Sequence, residues 1–139
     1  MLTEFLHDWV KSEPQICGYG LGTFRNTFFI ELSWGDWISI STSGPNPFLL
    51  DRGSLAKLIY FFQMRLDSFG YGWVIQRLPN SYTVTVTVNP NIYETSRCFV
   101  SRQESLIEAL LEVYLKALAY KKKSLFLRPV KEEASDERD

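Results

Sequence analysis

The chain has 139 residues with 15 basic and 16 acidic side chains, a balance that argues against the broad basic footprint of nucleic-acid binding. Hydrophobic residues make up 45% and aromatic residues 15%, enough for one domain with its own core and too many for a disordered chain. No apolar run approaches the roughly 20 residues that span a bilayer, and the first fourteen residues lack the basic start and apolar centre of a signal peptide, so a soluble, cytoplasmic protein is expected.

Charge is unevenly placed. Lys131 to Asp139 carry two basic and five acidic side chains, which leaves the body at about +2. The reading is one α+β domain over residues 1–125 and a C-terminal tail at 126–139, acidic and disordered at its end. From Leu125 on, LFLRPV reads either as a short docked strand or as an interaction segment. Cys17 and Cys98 sit in no CxxC or CxxH spacing. They read as two buried thiols in a reducing compartment, with a single disulfide or redox pair as the alternative.

Residues 3–12 predict a short helix, capped by Thr3, with Leu2, Phe5, Leu6, Trp9 and Val10 on one side and Pro14 as its stop. His7 and Asp8 fall on or near the polar face. PQICGYGLG lacks the order of a phosphate-cradling loop and reads as a loop before a hairpin.

In TFFIELSWGDWISIST, Phe28, Ile30 and Leu32 alternate with polar or partly polar positions, as do Ile38 and Ile40. A two-residue turn would set Leu32 opposite Ser39. An odd loop, Trp34-Gly35-Asp36, pairs Leu32 with Ile38 and Ile30 with Ile40 on one buried face, and is preferred because a one-residue slip reverses every side chain. Trp34 then occupies the loop tip and Trp37 the face opposite the core.

SGPNPFLLDRGS reads as a loop, and Asp51 or Ser54 as the cap of a helix to about Ser68. Leu55, Leu58, Ile59, Phe62, Leu66 and Phe69 form its apolar stripe, with Gly70 behind it. Tyr60, Phe61 and Met64 lie off the stripe, so this helix is apolar on more than one side and is either broadly covered or offers a partner surface. Tyr71 to Arg77 reads as a strand and Leu78-Pro79-Asn80 as a turn. Tyr82, Val84, Val86 and Val88 alternate with Thr83, Thr85 and Thr87, valines inward and threonines outward. Asn89-Pro90-Asn91 breaks that strand, and a third follows from about Thr95 to Val100, with Cys98 and Val100 on one face and Phe99 on the other. Ser101-Arg102-Gln103-Glu104 has capping-box spacing for a last helix built on Ile107, Leu110, Leu111, Tyr114 and Leu118 and ended by Lys121, Lys122 and Lys123. The architecture expected is an antiparallel sheet of about five strands with two longer helices, an α-β-β-β-α core preceded by a short helix and a hairpin.

From residue 54 that order resembles the double-stranded RNA-binding domain. The family's lysine cluster at the start of its last helix is here Ser101-Arg102-Gln103-Glu104-Ser105, and its Gly-Pro-x-His loop is Leu78-Pro79-Asn80-Ser81, so the order is present and the phosphate chemistry is not. A closer likeness runs from about Pro47 to Leu118. Phe69-Gly70-Tyr71-Gly72-Trp73, the alternating strand from Tyr82 to Val88, and Glu108-Ala109-Leu110-Leu111 with Leu115-Lys116-Ala117-Leu118 resemble the phage ABA sandwich domain. That resemblance implies a small phage- or prophage-encoded protein with helices packed on an antiparallel sheet, and carries over no functional residues. The bulkier first helix and the hairpin at 26–42 depart from it.

One histidine completes no Ser-His-Asp order, and His and Cys make no metal set. A carboxylate pair such as Glu31 with Asp36 or Asp51 stays open, although acids near turns are common on any surface. The chain therefore reads as a non-enzyme without cofactor or metal. The favoured function is a non-catalytic phage-type protein, in the host cytoplasm if phage-encoded, that binds a host macromolecule in an accessory or anti-defence role. Trp34, Trp37 and Tyr60 are its contact candidates and a protein its expected partner. The alternative is a small-ligand or nucleotide binder using Trp73 and Arg77. A homodimer is the third possibility, and an RNA-binding module the least favoured.

Overall fold

The computed structural model describes the backbone of residues 2–32, 34–43, 50–88 and 97–138, and the side chains of these except residues 24 and 124–138. Part of the expected loop (residues 44–49), the Asn89-Pro90-Asn91 break and the start of the third strand at Thr95 lie outside the described residues, as does the beginning of the family resemblance at Pro47.

Helix α1 (Leu2–Ser12) buries Leu2, Leu6 and Trp9, one per turn. Thr3 lies inside it rather than capping it, and Pro14 stops it as expected. The chain then makes a tight turn, in which the Glu13 carbonyl accepts from Ile16 N–H at 3.0 Å and Cys17 N–H at 3.3 Å. That turn delivers strand β1 (Cys17–Tyr19), where a loop was expected. Three residues with a glycine carry no strand signal of their own. They become a strand because β2 (Thr27–Glu31) offers an edge beside them, pairing Cys17 with Ile30 and Tyr19 with Phe28.

β2 and β3 (Trp37–Ser41) pair Phe28 with Ile40 and Ile30 with Ile38. The expected parity holds and the pairing moves by two residues, because the turn is centred on Trp34 rather than on Gly35. Leu32 N–H bonds the Asp36 carbonyl at 2.8 Å, and Gly35, at φ 85°, returns its N–H to the Leu32 carbonyl at 2.9 Å. A shift by two keeps every side chain on its face, so Leu32 is still buried and Trp37 still points away from the core.

Helix α2 (Arg52–Ser68) is capped by Asp51, whose carboxylate accepts from Ser54 N–H at 2.7 Å. It ends in a Schellman motif: Gly70, at φ 78°, bonds the Asp67 carbonyl at 3.0 Å and Tyr71 N–H bonds the Leu66 carbonyl at 3.1 Å. Phe61, outside the expected stripe, is fully buried with Leu58, Phe62 and Leu66. Strands β4 (Gly72–Leu78) and β5 (Ser81–Val88) form a hairpin with the two-residue turn Pro79-Asn80, and β6 (Arg97–Gln103) pairs on the other side of β5. Valines 84, 86 and 88 are buried, as the alternation requires.

Helix α3 (Leu106–Arg138) begins later than the capping-box reading placed it. Ser101 belongs to β6, is buried, and donates its hydroxyl hydrogen to Glu112. Ser105 stands ahead of the helix instead, with its carbonyl taking Ala109 N–H at 3.1 Å and its hydroxyl facing Glu108 N–H at 3.5 Å. Ser105-Leu106-Ile107-Glu108 repeats the S-x-x-E spacing four residues on, so the first match was a coincidence inside a strand. The helical backbone also continues past Lys121–Lys123 to Arg138, since lysine is a good helix former and no stop by itself. The side chains on which the acidic-tail reading of 126–139 rests lie outside those described.

One sheet of about five strands was expected. The structure is α+β with two separate three-stranded antiparallel sheets, β1-β2-β3 and β4-β5-β6. α3 packs on β5 and β6, and both α1 and α2 pack on α3. A single buried cluster runs from Phe28, Ile30, Ile38 and Ile40, through Trp9, Phe61 and Phe62, to Tyr114 and the β5 valines. Two apolar sheet faces each need cover, and helices apolar on more than one side supply it to both.

Candidate functional site

The β2–β3 connection carries Trp34 to the surface beside α2. Its ring lies 5.5 Å from that of Tyr60, centroid to centroid, at 59°. Both rings stay open to solvent, at 44% and 55% exposure. An aromatic pair normally buries itself, so one held out in water is a candidate contact surface. The arrangement is fastened at its base, where Lys57 Nζ on α2 meets Asp36 Oδ2 at 2.6 Å. Asp36 also accepts from Trp37 N–H at 3.0 Å. The Lys57 hydrogen bond, then that backbone N–H, hold the Asp36 carboxyl below its ordinary range.

The five residues picked from sequence do not form one site. Trp34 and Tyr60 come together. Trp37, 58% exposed, sits on the outer face of its sheet opposite Glu31, where it borders an open groove of about 280 Å³ with Phe29 and the Pro14–Ile16 turn. Trp73 is half-buried on β4 and donates its indole N–H to Asp67 at 2.9 Å. Arg77 is exposed two side-chain positions along the same face. A second, polar hollow of about 650 Å³ lies between the β4–β5 turn and the start of α3, lined by Ser81, Arg102, Glu104 and Glu108. Neither Trp73 nor Arg77 lines either hollow.

Sequence reading missed a buried ionic cluster. Glu13, at the end of α1, is 2% exposed. Its carboxylate accepts from Trp9 Nε1 at 3.0 Å, from the Tyr114 hydroxyl and from Arg65 Nη2, while Arg65 Nε donates to the Tyr114 oxygen at 3.1 Å. Three helices are thus tied through one carboxylate. Burial first, then the Glu13 charge, push the Tyr114 phenol far above its usual range. The cluster is saturated with internal partners and lines neither hollow, which makes it a structural tie. Only the Trp9–Glu13 spacing of four hinted at it, and the helix stops one residue short of Glu13. Among the described residues no group of three His, Cys, Asp or Glu side chains converges, and no helix is long and apolar enough to cross a membrane.

The two thiols differ, where two buried ones were expected. Cys98 is exposed and Cys17 buried, and both are free. The Cys17 thiol donates to the Glu13 carbonyl at 3.7 Å, and burial, with the Glu13 charge behind it, raises it to about 12. At pH 8 a thiol reagent is therefore expected to modify one equivalent at once, at Cys98, and the second only with unfolding. Because the folded-state value lies above the 9.0 of the free group, folding favours the protonated thiol, and this contribution is full below pH 9 and lost as pH rises toward 12. Cys17→Ser should flatten the alkaline fall in stability, measured by urea unfolding at stepped pH.

No protein-family model, curated protein or solved structure matches the chain.

Proposed function

We propose that this is a non-catalytic binding protein that engages a protein partner through Trp34 and Tyr60, with Trp37 on the adjoining sheet face. The carrying observation is the exposed, clamped pair: two large rings presented to solvent by a hairpin tip that Asp36 and Lys57 fix to α2. Aromatic rings are the side chains most enriched at the energetic centres of interfaces. Holding them in place beforehand lowers the ordering cost of association. The host-directed accessory or anti-defence role, phage or prophage origin included, belongs to this same reading and rests on the sequence resemblance.

The test uses the full chain, immobilised and challenged with host lysate. A defined protein should be retained at near-stoichiometric yield, and Trp34→Ala or Tyr60→Ala should each weaken retention by about tenfold or more. Circular dichroism should be unchanged, since both side chains are largely outside the core. Undiminished capture by both variants, or no stoichiometric partner, would remove the proposal.

A further inference from the structure

Among the described residues each sheet has two edge strands paired on one side only, and they are not equally guarded. β1 has only three residues. β3 reads Trp-Ile-Ser-Ile-Ser, and its Trp37 N–H is already tied to Asp36. β6 carries Arg97 and Arg102. β4 has seven residues, GWVIQRL, with one charge, no proline and an unbroken register against β5. Natural edge strands are usually guarded by short length, charge, proline or a bulge, and this one has Arg77 alone.

The register also shows where its free groups point. Around a two-residue turn Leu78 and Ser81 form a hydrogen-bonded pair, and such pairs alternate along the ladder. Leu78, Gln76, Val74 and Gly72 therefore bond β5, and the backbone groups of Trp73, Ile75 and Arg77 face outward. Among the described residues no backbone hydrogen bond beyond those to β5 involves them.

We propose that the β4 edge pairs antiparallel with the β4 of a second copy, about a twofold axis at Ile75, joining two three-stranded sheets into one of six. That centre satisfies every outward N–H and C=O of Trp73, Ile75 and Arg77. It also sets Trp73 opposite the second copy's Arg77, and Val74 opposite its Gln76. Asp67 hydrogen-bonds the Trp73 indole, so each Arg77 meets both a ring face and a carboxylate. Arg77 has no ion pair within its own chain among the described residues, which leaves it free for this role. A formal net charge of −1 raises no general repulsion between copies. Val74, 62% exposed, gains cover on the outer face. A single strand pair is a small interface, so the dimer is weak, with Kd on the order of 10 µM.

Sedimentation of the full chain from about 1 to 200 µM tests this, together with hydrogen exchange of residues 72–78. The expected result is a monomer–dimer equilibrium in which the amides of Trp73, Ile75 and Arg77 gain protection as concentration rises. Arg77→Glu, which sets two carboxylates against each other, should weaken the dimer about tenfold or more. Adding Asp67→Lys should restore association by reversing the pair. Val100→Lys, on the opposite edge, should change nothing. A monomer throughout the range, a dimer indifferent to Arg77→Glu, or one broken by Val100→Lys overturns the proposal. The exchange measurement on the unmodified chain decides it even where a variant fails to fold.

Discussion

Glu13→Ala is expected to cost about 3–4 kcal/mol of folding stability and to lower the thermal midpoint by roughly 10–15 °C. The change removes one carboxylate and leaves three donors behind: the Trp9 indole N–H, the Tyr114 hydroxyl and the Arg65 guanidinium. The first two belong to fully buried side chains and cannot turn to water. Arg65 is 30% exposed at its side chain and can, which keeps the cost toward the lower end for a broken buried pair. The loss also falls on the joint between α1, α2 and α3, so unfolding should remain one cooperative transition. Glu13→Gln, which retains an acceptor, should fall between the two. Glu13→Leu with Arg65→Met should recover much of the loss, because an apolar pair of similar volume leaves fewer orphaned charges. A Glu13→Ala variant within about 1 kcal/mol of the parent in urea unfolding would show that the carboxylate does not hold these helices together.

Trp9→Ala should be the most damaging single change in the described chain, at about 4–5 kcal/mol. Its ring is wholly inaccessible and meets Phe28 of the first sheet at 5.9 Å, Phe61 and Phe62 of α2 at 6.2 and 5.3 Å, and Tyr114 of α3 at 6.0 Å. One side chain thus bridges a sheet and two helices. Truncation opens a cavity bordered by aromatic rings, which collapse poorly into the space, and it removes a donor from Glu13. Against the 5–15 kcal/mol typical of a whole domain, such a loss leaves little cooperative folding at 37 °C. Trp9→Phe should keep most of the ring contacts and cost about 2 kcal/mol, giving a variant that can be measured by calorimetry. If Trp9→Phe proves as damaging as Trp9→Ala, the indole N–H contact with Glu13 outweighs the ring packing.

The parts that were legible share a cause. Helix α2 was readable at both ends, because Asp51 and Gly70 act through hydrogen bonds a few residues away. The valine and threonine alternation of β5 was readable because a strand exposes its faces with period two, whatever packs on them. The hairpin kept the expected faces although its register moved by two, since parity is local and the centre of the turn is not. Its exposed tryptophans followed from that parity, and two of the five candidate residues, Trp34 and Tyr60, met in space. Where the reading failed, the local signal was ambiguous. Ser101-Arg102-Gln103-Glu104 satisfies a capping box on paper, yet pairing with β5 absorbed its first three residues, and the same spacing recurred at Ser105.

The sequence by itself determined the type and order of the three α-helices and of strands β2 to β6, the valine face of β5 and the solvent side of Trp34 and Trp37. Each of these depends on contacts within one turn of helix or on the two faces of one strand. Only the tertiary structure decided that there are two sheets rather than one, that Cys17–Tyr19 is a strand, that Phe61 is core, and that Glu13 is a buried tie rather than a surface acid. Those outcomes depend on partners far along the chain, 52 residues away for Arg65 and 101 for Tyr114. No pattern read along the chain encodes which edge a strand meets or which carboxylate a distant arginine finds, because that choice is made by the packing of the whole core.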